Sequence, residues 1–213
     1  LTREMQKALA STGVRVTSGM TGPYGRLNHF GHPDAEVRDY YVTWFKIFAD
    51  IIADIGGKSI GTQFAILTYK DFDNKAAREQ AIETALECWG KVAEHAADAG
   101  LSFLFWEPMS VGREFGETID AALLLQDRID KMDFAIPMKM MADIDHGDVT
   151  SARSDDYDPY AWARAVPQHS PIIQIKQTLL ATGGIRPSTA DSNAWGSMPH
   201  GRLMQAMSGR GPG

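Results

Sequence analysis

Apolar residues recur along this chain in two alternating rhythms, spaced three and four apart over long stretches and bunched into brief runs between them. The first spacing lines one face of a helix, and the second has the length of a buried strand. Residues 2–9 read as a short amphipathic helix ended by Gly13, with a β-type run over residues 14–18. A Gly- and Pro-rich loop follows from Gly19 to Pro33 and carries Tyr24, Arg26, Asn28, His29 and His32. After a buried parallel strand such a loop lies at the ligand-binding end of a sheet.

Pro33-Asp34 opens a helix whose Tyr41, Trp44, Phe45, Phe48, Ile51, Ile52 and Ile55 form one stripe, read as core, and Gly56-Gly57 stops it. A second strand is expected over residues 59–66. Asp73-Asn74 then caps a long helix whose Ala77, Ala81, Ala85, Cys88, Val92 and Ala96 make a narrow face suited to close docking on a sheet. Gly100 ends it. Further strands are expected over residues 101–108, 136–142 and 171–177, with helices over 117–129 and 159–166 between them. Beyond Thr178 the composition turns to Gly, Ser, Pro and Asn, with one short helix at 201–207 and no sixth strand.

Five β-type runs alternating with helices, roughly 35 to 45 residues apart, are the β-α repeat of a parallel sheet. Because the runs are apolar nearly throughout, both faces of the sheet must be covered, as in a doubly wound sheet or a (β/α) barrel. We expect one domain over residues 1–213. The chain has no initiator methionine and starts inside a helix, which suggests an incomplete sequence.

Composition narrows the function classes. A net charge of -6 and a pI near 5.5 argue against a nucleic-acid or anionic-membrane surface, since phosphate backbones are bound by excess Lys and Arg. One cysteine, Cys88, excludes an internal disulfide framework and fits a reducing, cytoplasmic setting. No apolar stretch reaches the roughly 20 residues of a membrane span. Glycine-rich nucleotide and phosphate loops are absent, as is a Gly-x-Ser-x-Gly elbow, and Cys88 lies inside a helix, so no nucleotide cofactor or Ser/Cys nucleophile is supported.

The candidate chemistry lies at strand ends. Residues 136–148 pass within a few positions from a core-forming run to Asp143, Asp145, His146 and Asp148. Glu107 closes the preceding strand, where an ionised carboxylate is costly to bury unless it is paired or bound to metal. Gln174 and Lys176 lie on the following one. Carboxylate, carboxylate with histidine, and amide oxygen make an oxygen-rich set suited to Mg²⁺ or Mn²⁺ rather than zinc.

The strings Phe-Leu-Phe-Trp-Glu107-Pro-Met-Ser with Arg113-Glu114-Phe-Gly-Glu-Thr behind it, Asp143-Ile-Asp-His146-Gly-Asp, and Pro-Ile-Ile-Gln174-Ile-Lys176-Gln carry a resemblance, in order and spacing, over most of residues 1–195. The chain resembles the sugar-phosphate isomerases and epimerases of the xylose-isomerase-like TIM barrels, in particular the group acting on erythrulose phosphate and other tetrulose phosphates. That resemblance implies an α/β fold, a (β/α)8 TIM barrel here incomplete at both ends, with about five βα units present. It implies an isomerase acting on a small ketose phosphate by proton transfer through a metal-stabilised enediolate. Glu107, Asp143 and Gln174 would hold the Mg²⁺ or Mn²⁺. Glu107 and His146 would be catalytic, and Arg113, Lys176, Arg26 and His29 would bind substrate.

Two departures stand out. Where the family commonly has a histidine ligand this chain has Gln174, and no last strand supplies the family's second glutamate. Two other readings stay open, a metal-dependent phosphoesterase of the abasic-site endonuclease type and a non-catalytic truncated barrel. The partner expected is a small sugar phosphate, with neither nucleic acid nor membrane, and homo-oligomeric association is left open.

Overall fold

The computed structural model describes residues 1–21, 29–178, 185–186, 189, 191 and 200–208. Helix α1 (Thr2–Thr12), strand β1 (Ser18–Met20), α2 (Ala35–Asp54), β2 (Ser59–Gln63), a single turn α3 (Tyr69–Phe72), α4 (Lys75–Asp98), β3 (Phe103–Glu107), α5 (Ile119–Asp130), β4 (Met138–Asp143), α6 (Pro159–Ala165) and β5 (Ile172–Gln174) follow in order. Two short strands, β6 (Gln177–Thr178) and β7 (Ile185–Arg186), and α7 (His200–Met207) come after them, and 3₁₀ turns lie at Gly112–Glu114 and Ser154–Tyr157. The order within the main sheet is β1-β2-β3-β4-β5, chain order throughout, as the alternating β-α pattern requires.

By its internal contacts the chain divides into two compact units, residues 1–106 with 127–139, and residues 107–126 with 140–213. In the first unit β1 pairs in parallel with β2, Gly19 opposite Ile60. The amide of Ser102 donates to Lys58 O and that of Leu104 to Pro137 O, continuing the sheet through β3 to the edge of β4. All five residues of β2 are buried, so helices or neighbouring strands cover both faces. At Gly61 a Cβ would stand 2.1 Å from Phe105 O, so no larger residue fits there without moving β3.

Helix α2 packs on α4 through Phe45 and Trp89, whose ring centroids are 5.5 Å apart, and the Trp89 indole donates to Phe64 O at 3.0 Å. Phe30, Phe45, Phe64 and Trp89 are wholly buried. The stripe expected on α2 holds for Tyr41, Phe45, Ile52 and Ile55, but Trp44 is 41% exposed and stacks on Tyr41 and Phe48 from outside. Cys88 is a core residue on α4, and burial pushes its thiol up to about 11. Asp34, Asn74 and Asp158 cap the helices that follow them, and Gly13 and Gly100 take the positive φ that ends α1 and α4.

Three expectations needed correcting. Residues 14–17 lie outside the strand, although Thr17 O accepts from Lys58 N at 2.9 Å, and the register with β2 begins at Ser18. α3 was not foreseen, nor was the antiparallel pairing of β6 with β7 after the main sheet. Both are too short to leave a periodic signal.

In the second unit β4 pairs in parallel with β5, placing Asp143 opposite Gln174. Pro137, which cannot donate to a ladder, lies just before β4. No described helix is long and apolar enough to cross a membrane.

Candidate metal and proton-transfer site

Glu107 is the last residue of β3 and Asp143 the last of β4, and they are only 3% and 2% exposed. Each is fixed by its strand, so the parallel sheet delivers two carboxylates at the same end. The chain turns directly after Asp143: the amide of Asp145 donates to Asp143 Oδ1 at 3.2 Å, and that of His146 to Asp143 O at 3.1 Å. That tight turn brings the imidazole of His146 back over the strand ends. His146 Nδ1 lies 3.3 Å from Glu107 Oε1, and Nε2 lies 3.4 Å from Asp143 Oδ2.

Lys176, two residues past β5, completes the group. Its Nζ is 2.6 Å from Asp143 Oδ2 and 2.7 Å from His146 Nε2, with only 15% of the side chain exposed. An ammonium has only protons to offer, so His146 Nε2 must be the acceptor in this contact. The ring proton therefore belongs on Nδ1, which faces the carbonyl of Pro108 at 3.3 Å. Burial lowers the His146 pKa, and the nearby Lys176 lowers it further against the opposing pull of Asp143. A neutral imidazole protonated on Nδ1 satisfies the Lys176 and Pro108 contacts.

Ligand atoms of Glu107, Asp143 and His146 lie within 4.8 Å of one another, close enough for one metal ion to reach all three. Asp143 Oδ2 is fully buried without an aligned hydrogen bond, and its contact with Lys176 is an ion pair alone. A buried carboxylate oxygen met only by charge is suited to a cation. Oxygen donors dominate the set, which fits a hard divalent ion such as Mg²⁺ or Mn²⁺.

The other expected residues fall as follows. Gln174 stands opposite Asp143 in register, so its side chain shares that face of the sheet, and it is exposed. Arg113 lies in the 3₁₀ turn Gly112–Glu114 behind β3 and pairs with the buried Glu114 at 3.4 Å. Phe115 ends this turn with φ of 67°, a conformation costly for a non-glycine residue and held here by Met109 N donating to Phe115 O at 3.0 Å. His29, in the first unit, stacks edge-on with His32 and Tyr41, and burial followed by His32 lowers its pKa. Arg26 lies outside the described residues.

Sequence reasoning missed three participants. The sequence marks Lys176 as an anion-binding residue and gives no sign of its contacts to Asp143 and His146. The Pro108 carbonyl, which selects the His146 tautomer, is a backbone group that no side-chain pattern reveals. Nothing in the sequence separates Asp156 from the exposed Asp155 beside it, yet it is 2% exposed.

Four likenesses to known proteins stand beside this geometry. The sequence profile of the xylose isomerase-like TIM barrel family matches residues 1–212. The D-erythrulose 1-phosphate 3-epimerase of Brucella abortus (strain 2308) is 68% identical over 206 residues, which are 97% of this chain and 66% of that protein. The chain thus spans just under two thirds of the length of this curated relative. Among solved structures, a Rhodospirillum rubrum ATCC 11170 protein named provisionally as a xylose isomerase superposes with a TM-score of 0.75 at 20% identity, covering 99% of this chain and 83% of that one. The 3-keto-D-glucoside 4-epimerase of E. coli superposes with a TM-score of 0.65 at 14% identity, covering 98% and 72%.

Proposed function

The chain belongs to the xylose isomerase-like TIM barrel family, and from that premise we propose that it serves a sugar-phosphate epimerase or isomerase acting on a tetrulose phosphate such as erythrulose phosphate. One observation carries the reading: two buried strand-end carboxylates, Glu107 and Asp143, share a neutral histidine, and Asp143 also pairs with a lysine. The name of the Brucella relative supports the choice of substrate.

Glu107 and Asp143 would hold a divalent cation, with the side-chain oxygen of Gln174 beside them. When bound there, the ion supplies Lewis-acid polarisation of a ketose carbonyl and its neighbouring hydroxyl. Glu107 is the candidate proton acceptor for the carbon next to that carbonyl, and the C–H electron pair passes into the enediolate. Return of the proton to the neighbouring carbon gives isomerisation. Return to the opposite face of the same carbon gives epimerisation and requires a second acid.

Lys176 and Arg113 are the candidates for the anionic end of the substrate, joined on sequence grounds by Arg26 and His29. Once the Lys176 ammonium pairs with that anion, His146 Nε2 is released to accept a hydrogen bond from a substrate hydroxyl and so polarise its oxygen. The test is solvent-deuterium incorporation into a tetrulose phosphate by the full-length protein with Mn²⁺ or Mg²⁺. Incorporation at the carbon next to the carbonyl is expected. Absence of exchange together with cleavage of abasic DNA would replace this reading by the phosphoesterase one.

A further inference from the structure

Four residues before α6, a short acidic run holds one carboxylate that is not on the surface. Asp155 is exposed, but its neighbour Asp156 is 2% exposed and every polar atom of its side chain is engaged. Oδ1 accepts from the amide of Ile119, the first residue of α5, at 3.2 Å. Oδ2 accepts from the Ser151 hydroxyl at 2.7 Å. The backbone carbonyl accepts from the indole of the buried Trp162 at 2.9 Å. A carboxylate placed on the first amide of a helix also faces the positive end of its dipole.

The same carbonyl is what the residue after His146 packs against. A Cβ on Gly147 would lie 1.9 Å from Asp156 O and 2.6 Å from Tyr157 Cα, so the loop backbone touches Asp156 with no side chain between. One residue further, Asp148 N donates to Glu117 O at 2.9 Å. Arg153 reaches from the same loop to Asp120 on the first turn of α5. The loop between β4 and α6 is thereby fixed to the start of α5 by the residues that follow Gly147, while those that precede it are fixed to Asp143.

We propose that Asp156 is a positioning residue: it clamps the loop that carries His146 against the N-terminus of α5, and so sets where the imidazole stands relative to Glu107. This inference rests on the role given to His146 above. The Asp156 carboxylate is bonded to Ile119 and Ser151, so its effect on the site passes through the backbone at Gly147. A displacement of about 1 Å in a reacting group can cost on the order of 10²-fold in rate.

The test uses the full-length protein, steady-state kinetics on erythrulose phosphate, and amide hydrogen exchange over residues 145–153. D156A should lower kcat on the order of 10²-fold with KM changed by less than about threefold. It should raise exchange in 145–153 and at the start of α5, with α4 unaffected. D156N should restore both, because its amide oxygen accepts from Ile119 N–H and its NH₂ donates to Ser151 Oγ. G147A, which forces the loop off Asp156, should reproduce the kcat loss. Wild-type kcat in D156A, exchange that rises equally in α4, or a D156N as impaired as D156A would each overturn the proposal. If the wild-type protein does not turn over the sugar phosphate, the functional reading fails separately. The exchange data then decide the clamp, upheld by protection lost at 145–153 and overturned by protection unchanged.

Discussion

At the scale of the residue, the informative contact is the one between Lys176 and His146. Two groups that are both positively charged when protonated do not sit 2.7 Å apart, so one must be neutral, and the lowered pKa of His146 identifies it. Burial is the larger cause. The folded state therefore holds its proton less tightly than the unfolded chain does, whose ordinary value is 6.5. Stability from this group is complete above pH 6.5. It falls as pH drops below that value, because the unfolded chain protonates first, by up to about 1.4 kcal/mol per pH unit until the folded pKa is reached. Urea unfolding of the wild type and of H146N at pH 7.5 and 5.5 checks this. The wild type should lose more stability on acidification than the variant, and equal losses would mean that His146 is not buried as a neutral ring.

At the scale of the element, helices were more legible than strands. The long α4 announced itself by its stripe of small residues, and Asn74 by its place before that stripe. Its Oδ1 accepts from Ala76 N at 3.0 Å and Ala77 N at 3.2 Å. N74A should cost about 1 kcal/mol, seen as a Tm lowered by roughly 2–4 °C in a protein of this size. N74D should melt with the wild type, since an aspartate caps as well and suits the helix dipole. A Tm unmoved in N74A would show the helix start to be held by packing alone. Strand β1 was misplaced because Val14, Val16 and Thr17 have the β-branched shape that favours strands, whereas pairing is decided by what β2 offers opposite Ser18 to Met20. Glu107 and Asp143 were legible because a carboxylate ending an apolar run has no cheap structural explanation. Asp156 was not, since only the tertiary contact with α5 separates it from the exposed Asp155.

At the scale of the whole molecule, a net charge of -6 and two carboxylates buried at strand ends point the same way, toward a protein that gains stability from a cation. An ion that binds the folded chain and not the unfolded one stabilises by RT ln(1 + [L]/Kd), about 2.7 kcal/mol at a hundred times Kd. Thermal melts with Mn²⁺ against EDTA should therefore separate by several degrees. E107Q removes one donor oxygen's charge and leaves the shape of the side chain, so it should fold and melt in EDTA near the wild type but lose most of the Mn²⁺ shift. It should also lose deuterium exchange, by on the order of 10³-fold. The two losses have different causes, because the melt reads cation binding in the absence of substrate. A variant that keeps the full Mn²⁺ shift but loses exchange would assign Glu107 to proton transfer and not to the ion. One that loses the shift and keeps exchange would remove the ion from the reaction altogether.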